Sequence, residues 1–159
     1  MKTLEMEVAL MRGFNIRANI IVPNVSWGLS VGGYILHECD LLVLSKSWYA
    51  TEIEIKVSKQ DLLKDKEKWH QHQHPHIRRL FFAVPKELQH TALKEIPEDA
   101  GLIVVDRIIK NRYRIDTVKN AKARKGAKQW QEHEVQQLTR LGTMRILGLK
   151  QKILKLSKI

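Results

Sequence analysis

Two short runs of residues between Glu38 and Lys56 constrain the fold of this chain more than any other feature. The first reads Glu-Cys-Asp-Leu-Leu-Val-Leu and the second Thr-Glu-Ile-Glu-Ile-Lys-Val, with a short polar break between them. Branched apolar residues that alternate with charged ones are typical of half-buried β-strands. Side chains two positions apart share a face of a strand, so Glu54 lies beside Lys56, and Asp40 beside Glu38. The pattern predicts two neighbouring strands, each with a charged face.

These charged faces are suited to phosphodiester hydrolysis if the two strands pair. Asp40 and Glu54 then lie close enough to hold one cation, with Lys56 two residues further along. Mg²⁺ is commonly held by one or two carboxylates together with phosphate oxygens, and a bound metal lowers the pKa of a water. A lysine ammonium beside it orients that water and stabilises developing negative charge. The same residues also fit an antiparallel strand whose charged face is merely solvated, so both interpretations stay open.

Length and cysteine content limit the class of protein. A chain of 159 residues fits one domain with a real core, and its single cysteine, Cys39, predicts a reducing compartment and a buried structural thiol. The N-terminus carries Glu5 and Glu7 among its apolar residues, so we predict no signal peptide. No apolar run approaches the length of a membrane span. We therefore expect a cytoplasmic protein without membrane contact.

The formal net charge of +11 is concentrated in the last third of the chain. Residues 1–110 hold 15 Lys and Arg against 14 Asp and Glu, whereas residues 111–159 hold 13 against 3. Such an excess is typical of a segment that follows a phosphate backbone. A solvated basic tail is an equally good interpretation of the charge alone.

The N-terminal quarter is predicted to contain one helix and one short strand. The helix spans residues 3–12, with Thr3 as its N-cap and Gly13 as its stop. Its inward stripe is expected to consist of Leu4, Val8 and Met11. The strand runs from Ala18 to Val22 and is ended by Pro23.

A second helix is predicted directly after the charged strands. Ser58 suits its N-cap, with Asp61 at the capping-box spacing. The helix is expected to run to about His70, with Leu62 and Leu63 facing inward.

The downstream elements predict a mixed sheet. Residues 79–84 form a nearly continuous apolar run, which is typical of a central strand covered on both faces. A short helix or turn is expected at 86–96, and further strands at 102–105 and 112–118. Strand, helix and apolar strand in this order indicate a parallel crossover.

Four histidines alternate with other residues at His70, His72, His74 and His76. This i, i+2 spacing suits neither a helical ligand pair nor the spaced ligands of zinc sites. We predict a polar loop, with ordered metal binding as the alternative.

The C-terminal segment divides into a basic linker at 119–128 and a helix from Trp130 to about Leu149. The helix carries one apolar stripe, formed by Val135, Leu138, Leu141 and Met144. This stripe suits either docking on the sheet or a homodimer contact. We therefore divide the chain into a domain at 1–118 and an extension at 119–159. The residues expected to contact nucleic acid are Lys59, Lys119, Lys122, Arg124, Lys125 and Lys128.

The predicted order of helix, three strands, helix and strand, with Asp40 and Glu54-Ile55-Lys56 on the strands, resembles the PD-(D/E)xK nuclease superfamily. The segments Glu-Ile-Glu-Ile-Lys-Val-Ser-Lys-Gln-Asp-Leu, Leu-Phe-Phe-Ala-Val-Pro and Ile-Pro-Glu-Asp-Ala-Gly-Leu-Ile-Val-Val-Asp are similar to its small MmcB-like DNA-repair branch. The resemblance covers about residues 3–106 and leaves the basic third outside. It implies an α/β, restriction-endonuclease-like αβββαβ core with a mixed central sheet, followed by a basic helical extension.

The resemblance also implies roles for individual residues. Asp40, Glu54 and the Ile55 carbonyl would bind the metal, Lys56 would be the catalytic lysine, and Glu7 would touch the metal through water.

Two further polar residues are expected near the site, and one residue departs from the family pattern. Gln60 falls where some members place a polar residue, and Glu38 adds an acid at the rim. The family's proline before the first acid is replaced by Cys39.

The function expected from these features is metal-dependent hydrolysis of DNA, in repair, recombination or phage DNA processing. The cofactor would be Mg²⁺, with Mn²⁺ as a substitute, and RNA is not excluded as the target. The alternative is a non-catalytic DNA-binding or accessory protein that keeps the nuclease fold. The sequence does not distinguish an endonuclease from an exonuclease.

Overall fold

A six-stranded mixed sheet organises the fold, with helices packed on both faces. The computed structural model describes residues 1–26, 30–31, 34–35, 38–64 and 74–157. Its strands are β1 (Ile20–Val25), β2 (Ser30–Val31), β3 (Tyr34–Ile35), β4 (Cys39–Leu44), β5 (Ala50–Ile55), β6 (Ile77–Pro85), β7 (Gly101–Ile109) and β8 (Arg112–Lys119). Its helices are α1 (Thr3–Gly13), α2 (Lys59–Lys64), α3 (Gln89–Glu95) and α4 (Glu132–Leu156). The sheet order is β1-β4-β5-β6-β7-β8, and β2 pairs with β3 separately.

The two charged runs of the sequence form β4 and β5, which pair in antiparallel orientation. The register places Leu41 opposite Ile53 and Leu42 opposite Glu52. The predicted pair of neighbouring strands is therefore confirmed.

The nearly continuous apolar run forms β6 in the middle of the sheet. It lies parallel to β5 on one side and to β7 on the other. A 3₁₀ turn at Lys86–Leu88 and the helix α3 connect β6 to β7. The predicted parallel crossover in a mixed sheet is confirmed.

The two faces of the sheet bury different helices. One face packs against α1, in a cluster that contains Met6, Leu10, Leu41 and Ile53. The opposite face packs against α2, α3 and α4 in two further clusters. Because side chains alternate along a strand, Asp40, Glu54 and Lys56 lie on this second face or at its edge.

The inward stripe predicted for α1 was wrong. Leu4 and Val8 are 65% and 38% exposed, and the buried residues are Met6, Ala9 and Leu10. The helix carries apolar residues on two adjoining stripes, and contact with the sheet decides which one is buried.

The first strand is longer than predicted, since β1 continues through Pro23 to Val25. β1 is an edge strand, where a proline that lacks an N–H does not break the ladder on its paired side. The predicted stop at Pro23 was therefore wrong.

The helices α2 and α4 also differ in detail from the predictions. Leu62 is buried, but Leu63 is 39% exposed rather than inward. The predicted course of this helix beyond Lys64 lies outside the described residues. α4 begins at Glu132 and continues to Leu156, which is seven residues past the predicted end.

The apolar stripe of α4 is only partly buried. Leu138 and Leu141 pack with Val22 and Leu42, whereas Met144 is 61% exposed. In the described residues, no helix has the length and apolar character needed to cross a bilayer.

Glu5 links the start of α1 to the strands β7 and β8. Its carboxylate accepts hydrogen bonds from the Lys2 backbone N–H at 2.8 Å and the Tyr113 hydroxyl at 3.1 Å, and it pairs with Arg107 at 2.9 Å. The Lys2 hydrogen bond is the largest cause that lowers the pKa of Glu5, followed by Tyr113 and Arg107.

Replacing Glu5 by Gln is expected to lower the melting temperature at neutral pH. A carboxylate whose pKa is lowered on folding stabilises the fold above its unfolded pKa of about 4.5, and this stabilisation is lost as pH falls through the folded pKa. The gap between wild type and Glu5→Gln should therefore close in acid. Thermal denaturation at a series of pH values measures it, and a gap that stays constant below that range would contradict the assignment.

Candidate active site

A cleft of about 330 Å³ opens at one end of the strands of the sheet, where β5 ends and β4 begins. Continuing the register of these strands by one residue places Asp40 opposite Glu54. The lining residues are Thr3, Glu38, Asp40, Glu54, Ile55, Lys56, Asp61 and Lys64. The sheet thus brings together the two acids and the lysine that the alternating pattern singled out.

Glu54 and Lys56 form a buried ion pair in the wall of this cleft. The Lys56 Nζ atom lies 2.8 Å from Glu54 Oε2, and the two side chains are 5% and 2% exposed, respectively. The Lys56 backbone N–H donates to the Ala83 carbonyl at 3.0 Å and so holds the lysine against β6. Charges buried this deeply are costly unless they are paired, so the pair is a specific feature of the site.

Asp40 is held by the backbone of the neighbouring strand. Its Oδ2 accepts a hydrogen bond from the Ile55 N–H at 2.8 Å. This contact holds the Asp40 carboxylate against the end of β5, at the same residue, Ile55, whose carbonyl is expected to bind the metal. Glu38 is exposed and lines the same cleft, which agrees with its predicted place at the rim.

Three lining residues were not predicted as site residues. Asp61 and Lys64 reach the cleft because α2 starts at Lys59, three residues after Lys56. The Ser58 hydroxyl accepts from the Asp61 N–H at 3.1 Å, which confirms the predicted cap. Thr3 arrives from α1, and no local signal in the sequence indicates this long-range approach.

Three other predicted site residues are not among the described residues that line the cleft. Glu7 belongs to α1, and its Oε1 accepts a hydrogen bond from Asn24 Nδ2 at 3.4 Å. Asn24 lines a depression together with Glu38 and Asp40. The contact of Glu7 with the metal through water therefore stays a prediction. Gln60 and Lys59 are exposed on α2, and neither is among the described residues that line the cleft.

The basic segment 119–128 lies at the opposite end of the strands from the cleft. Its backbone N–H groups at Lys122, Arg124 and Lys128 donate to the carbonyls of Asp99, Arg78 and Pro75, where β6 and β7 begin. The cleft lies where β5, parallel to β6, ends.

Several side chains of this basic segment already have partners. Lys122 pairs with Glu98, whose hydrogen bond and charge raise the pKa of Lys122. Lys119 Nζ donates to the Pro97 carbonyl at 3.0 Å. The prediction that this segment binds nucleic acid therefore concerns a surface distant from the cleft.

Part of the histidine run lies in the described residues. His74 is buried, and His76 Nδ1 lies 3.0 Å from Glu134 Oε1 on α4. Within the described part of the chain, no group of three or more His, Cys, Asp or Glu side chains is arranged to hold a metal. His70 and His72 lie outside it.

The cleft residues fit a small hard cation. Asp40 and Glu54 supply carboxylate oxygens from adjacent strands, and Ile55 lines the cleft between them. Mg²⁺ prefers oxygen ligands and usually keeps several waters, so one or two carboxylates suffice.

Comparison with protein families identifies the chain. The sequence matches the family described as DNA repair protein MmcB-like over residues 32–152. The chain belongs to the MmcB-like DNA repair protein family. This family is a PD-(D/E)xK-like branch, so the predicted superfamily and the restriction-endonuclease-like fold are confirmed. Membership indicates a role related to DNA repair and an interaction with DNA.

The match also corrects the predicted extent of the resemblance. It continues through β8 and most of α4, so the expectation that the basic third lies outside the MmcB-like pattern was wrong.

One solved structure shares the fold of this MmcB-like protein. A protein of unknown function from Silicibacter pomeroyi matches with a TM-score of 0.65 and 18% sequence identity, covering 96% of this chain and 91% of that chain. At this identity the likeness extends to the fold alone. Comparison with curated proteins gives no match.

Proposed function

We propose that this MmcB-like protein is a metal-dependent nuclease that hydrolyses DNA phosphodiester bonds in repair, recombination or phage DNA processing. The observation that carries the proposal is the convergence of Asp40, Glu54 and Lys56 on one cleft at the sheet edge. Burying a lysine and an acid beside a second acid costs desolvation free energy, and such groups cluster at functional sites.

Each residue has a distinct role in this proposal. Asp40, Glu54 and the Ile55 carbonyl would hold Mg²⁺ or Mn²⁺. The metal, when bound, neutralises charge on the phosphate and lowers the pKa of a water. The Lys56 ammonium is held 2.8 Å from Glu54, which would bind the metal. In that position Lys56 would donate hydrogen bonds to the attacking water or to a phosphate oxygen. Lys64, which lines the same cleft, attracts the phosphate backbone.

A non-catalytic DNA-binding protein is the second candidate. The ion pair between Lys56 and Glu54 favours it, since this pair satisfies both charges without a metal. Such a protein would bind DNA equally well in a chelator and would cleave nothing.

A substrate panel distinguishes the two candidates. We expect cleavage of at least one of duplex, branched or single-stranded DNA in Mg²⁺ or Mn²⁺, and none in EDTA, because the two acids need a cation between them. Single-stranded RNA belongs in the panel as the alternative target. Electrophoresis of end-labelled substrates measures cleavage and separates endonuclease from exonuclease products.

The panel needs a binding measurement beside it. Cleavage that survives EDTA would contradict the metal-dependent mechanism. DNA binding without cleavage of any substrate in either metal would favour the non-catalytic protein.

A further inference from the structure

The course of α4 relative to the cleft carries a further inference. Just before the helix, the Trp130 backbone N–H donates to the Trp48 carbonyl, at the edge of the sheet where β5 starts. Further along, Arg145 Nη2 donates to the Asn24 carbonyl near the end of β1. β1 and β5 run in the same direction, since each is antiparallel to β4. α4 therefore runs along the strands, from the end of the sheet remote from the cleft to the end where the cleft lies.

α4 continues beyond the strand ends beside the cleft. Residues 146–156, which we call the arm, continue past Arg145, and none of them is buried. At 1.5 Å per residue the arm extends about 16 Å, which along the axis of a DNA duplex corresponds to about five phosphates of one strand.

The base of the arm adjoins the candidate active site. Arg145 lines a depression of about 200 Å³ together with Asn24, Ser26, Glu38, Cys39 and Asp40. Glu38 and Asp40 also line the cleft, so the two spaces share a wall. In the described part of the chain, Arg145 forms no ion pair with a carboxylate, and its Nε makes no hydrogen bond. A guanidinium has five N–H donors, and the Asn24 carbonyl accepts from Nη2 alone.

The arm carries only positive charge. No Asp or Glu occurs after Glu134, whereas Lys150, Lys152 and Lys155 are all exposed. These three lysines make no ion pair with any described residue. In the basic segment 119–128, by contrast, Lys122 is paired with Glu98.

We propose that the arm and Arg145 form the surface that guides the phosphate backbone of DNA to the cleft. This inference rests on the proposed function, because the ligand is the DNA that the cleft would act on. The basic segment 119–128 does not supply this contact, since it lies at the opposite end of the strands from the cleft. The unopposed charge of the arm complements a polyanion that leaves the cleft on the β1 side.

Two triple variants of the full chain, matched in charge, test the inference. The arm variant is Lys150→Gln/Lys152→Gln/Lys155→Gln, and the control is Lys119→Gln/Lys125→Gln/Lys128→Gln. Fluorescence anisotropy with labelled duplex and single-stranded DNA, in EDTA and at several salt concentrations, measures binding without cleavage. Each lost phosphate contact reduces the salt slope of log K by roughly 0.9 for duplex DNA. We expect the arm variant to lose about 2 in slope and the control less than about 0.5.

The outcomes separate this inference from the proposed function. An equal or larger loss in the control variant would overturn the arm as the guide, whether or not the wild type cleaves DNA. Wild type that binds but never cleaves would remove the nuclease proposal and leave the arm result standing. A wild type that binds no DNA would overturn both.

A second copy of the chain is the competing occupant, because Ile146, Leu149 and Ile153 on the arm are exposed. Light scattering on the same samples tests it. A dimer that dissociates in the arm variant, with DNA binding per protomer unchanged, would overturn the inference.

Discussion

Replacing Glu54 by Gln is expected to reduce DNA cleavage by about 10²-fold or more and to destabilise the protein by roughly 3–5 kcal/mol. The activity falls because the cleft loses one of the two carboxylates, Asp40 and Glu54, that would hold the metal. The stability falls because the variant leaves the Lys56 ammonium buried without its carboxylate partner, in a pair whose side chains are 5% and 2% exposed. Single-turnover cleavage and urea denaturation measure the two effects.

A double variant separates chemistry from folding. Glu54→Gln/Lys56→Met removes both charges of the buried pair, so most of the lost stability should return, since replacing both partners of a buried pair by neutral groups is often neutral. Cleavage should stay at background. If the stable double variant cleaves DNA at the wild-type rate, neither residue takes part in the reaction.

The Asp40→Asn variant is expected to lose cleavage by about 10²-fold or more with little loss of stability. The asparagine oxygen can still accept the Ile55 N–H, which Asp40 Oδ2 accepts at 2.8 Å, so the strand end stays in place. Only the negative charge that would hold the metal is removed. Calorimetric titration with Mn²⁺ should show weaker binding, independently of any activity measurement.

Asp99→Asn is the matched control for Asp40→Asn. Asp99 is exposed and precedes β7 at the edge of the sheet remote from the cleft. The same change of one charge there should leave cleavage within about twofold and Mn²⁺ binding unchanged, because surface charges far apart are largely screened by salt. Equal losses in both variants would show that net charge, and not a ligand at Asp40, is being measured.

The core of the candidate site was predictable because it is local in the chain. Glu54, Ile55 and Lys56 follow one another, and Asp40 lies on the adjacent strand of the same hairpin. Period-2 alternation assigns each side chain to a face before any tertiary contact is known.

The surroundings of the site were harder to predict, since they depend on contacts between distant segments. Glu7 of α1 accepts a hydrogen bond from Asn24 of β1, which lines a depression together with Asp40. Thr3 and Arg145 reach the site region from the two ends of the chain. No spacing rule connects residues so far apart in sequence.

The placement of the basic charge shows the same division. The sequence predicts an excess of Lys and Arg in the last third, and composition does not say which of them face the site. Backbone hydrogen bonds tie residues 122–128 to the starts of β6 and β7, and contact between α4 and β1 carries the arm to the other edge.

The sequence by itself determined that β4 and β5 are neighbouring strands, that β6 is a central strand and that Glu54 shares a face with Lys56. These features follow from side-chain alternation and apolar runs, which act over a few residues. Only the tertiary structure decided which stripe of α1 is buried, which helix reaches the strand ends beside the cleft and which basic residues lie near it. Those outcomes depend on how whole elements pack against one another, and many packings are compatible with the same local pattern.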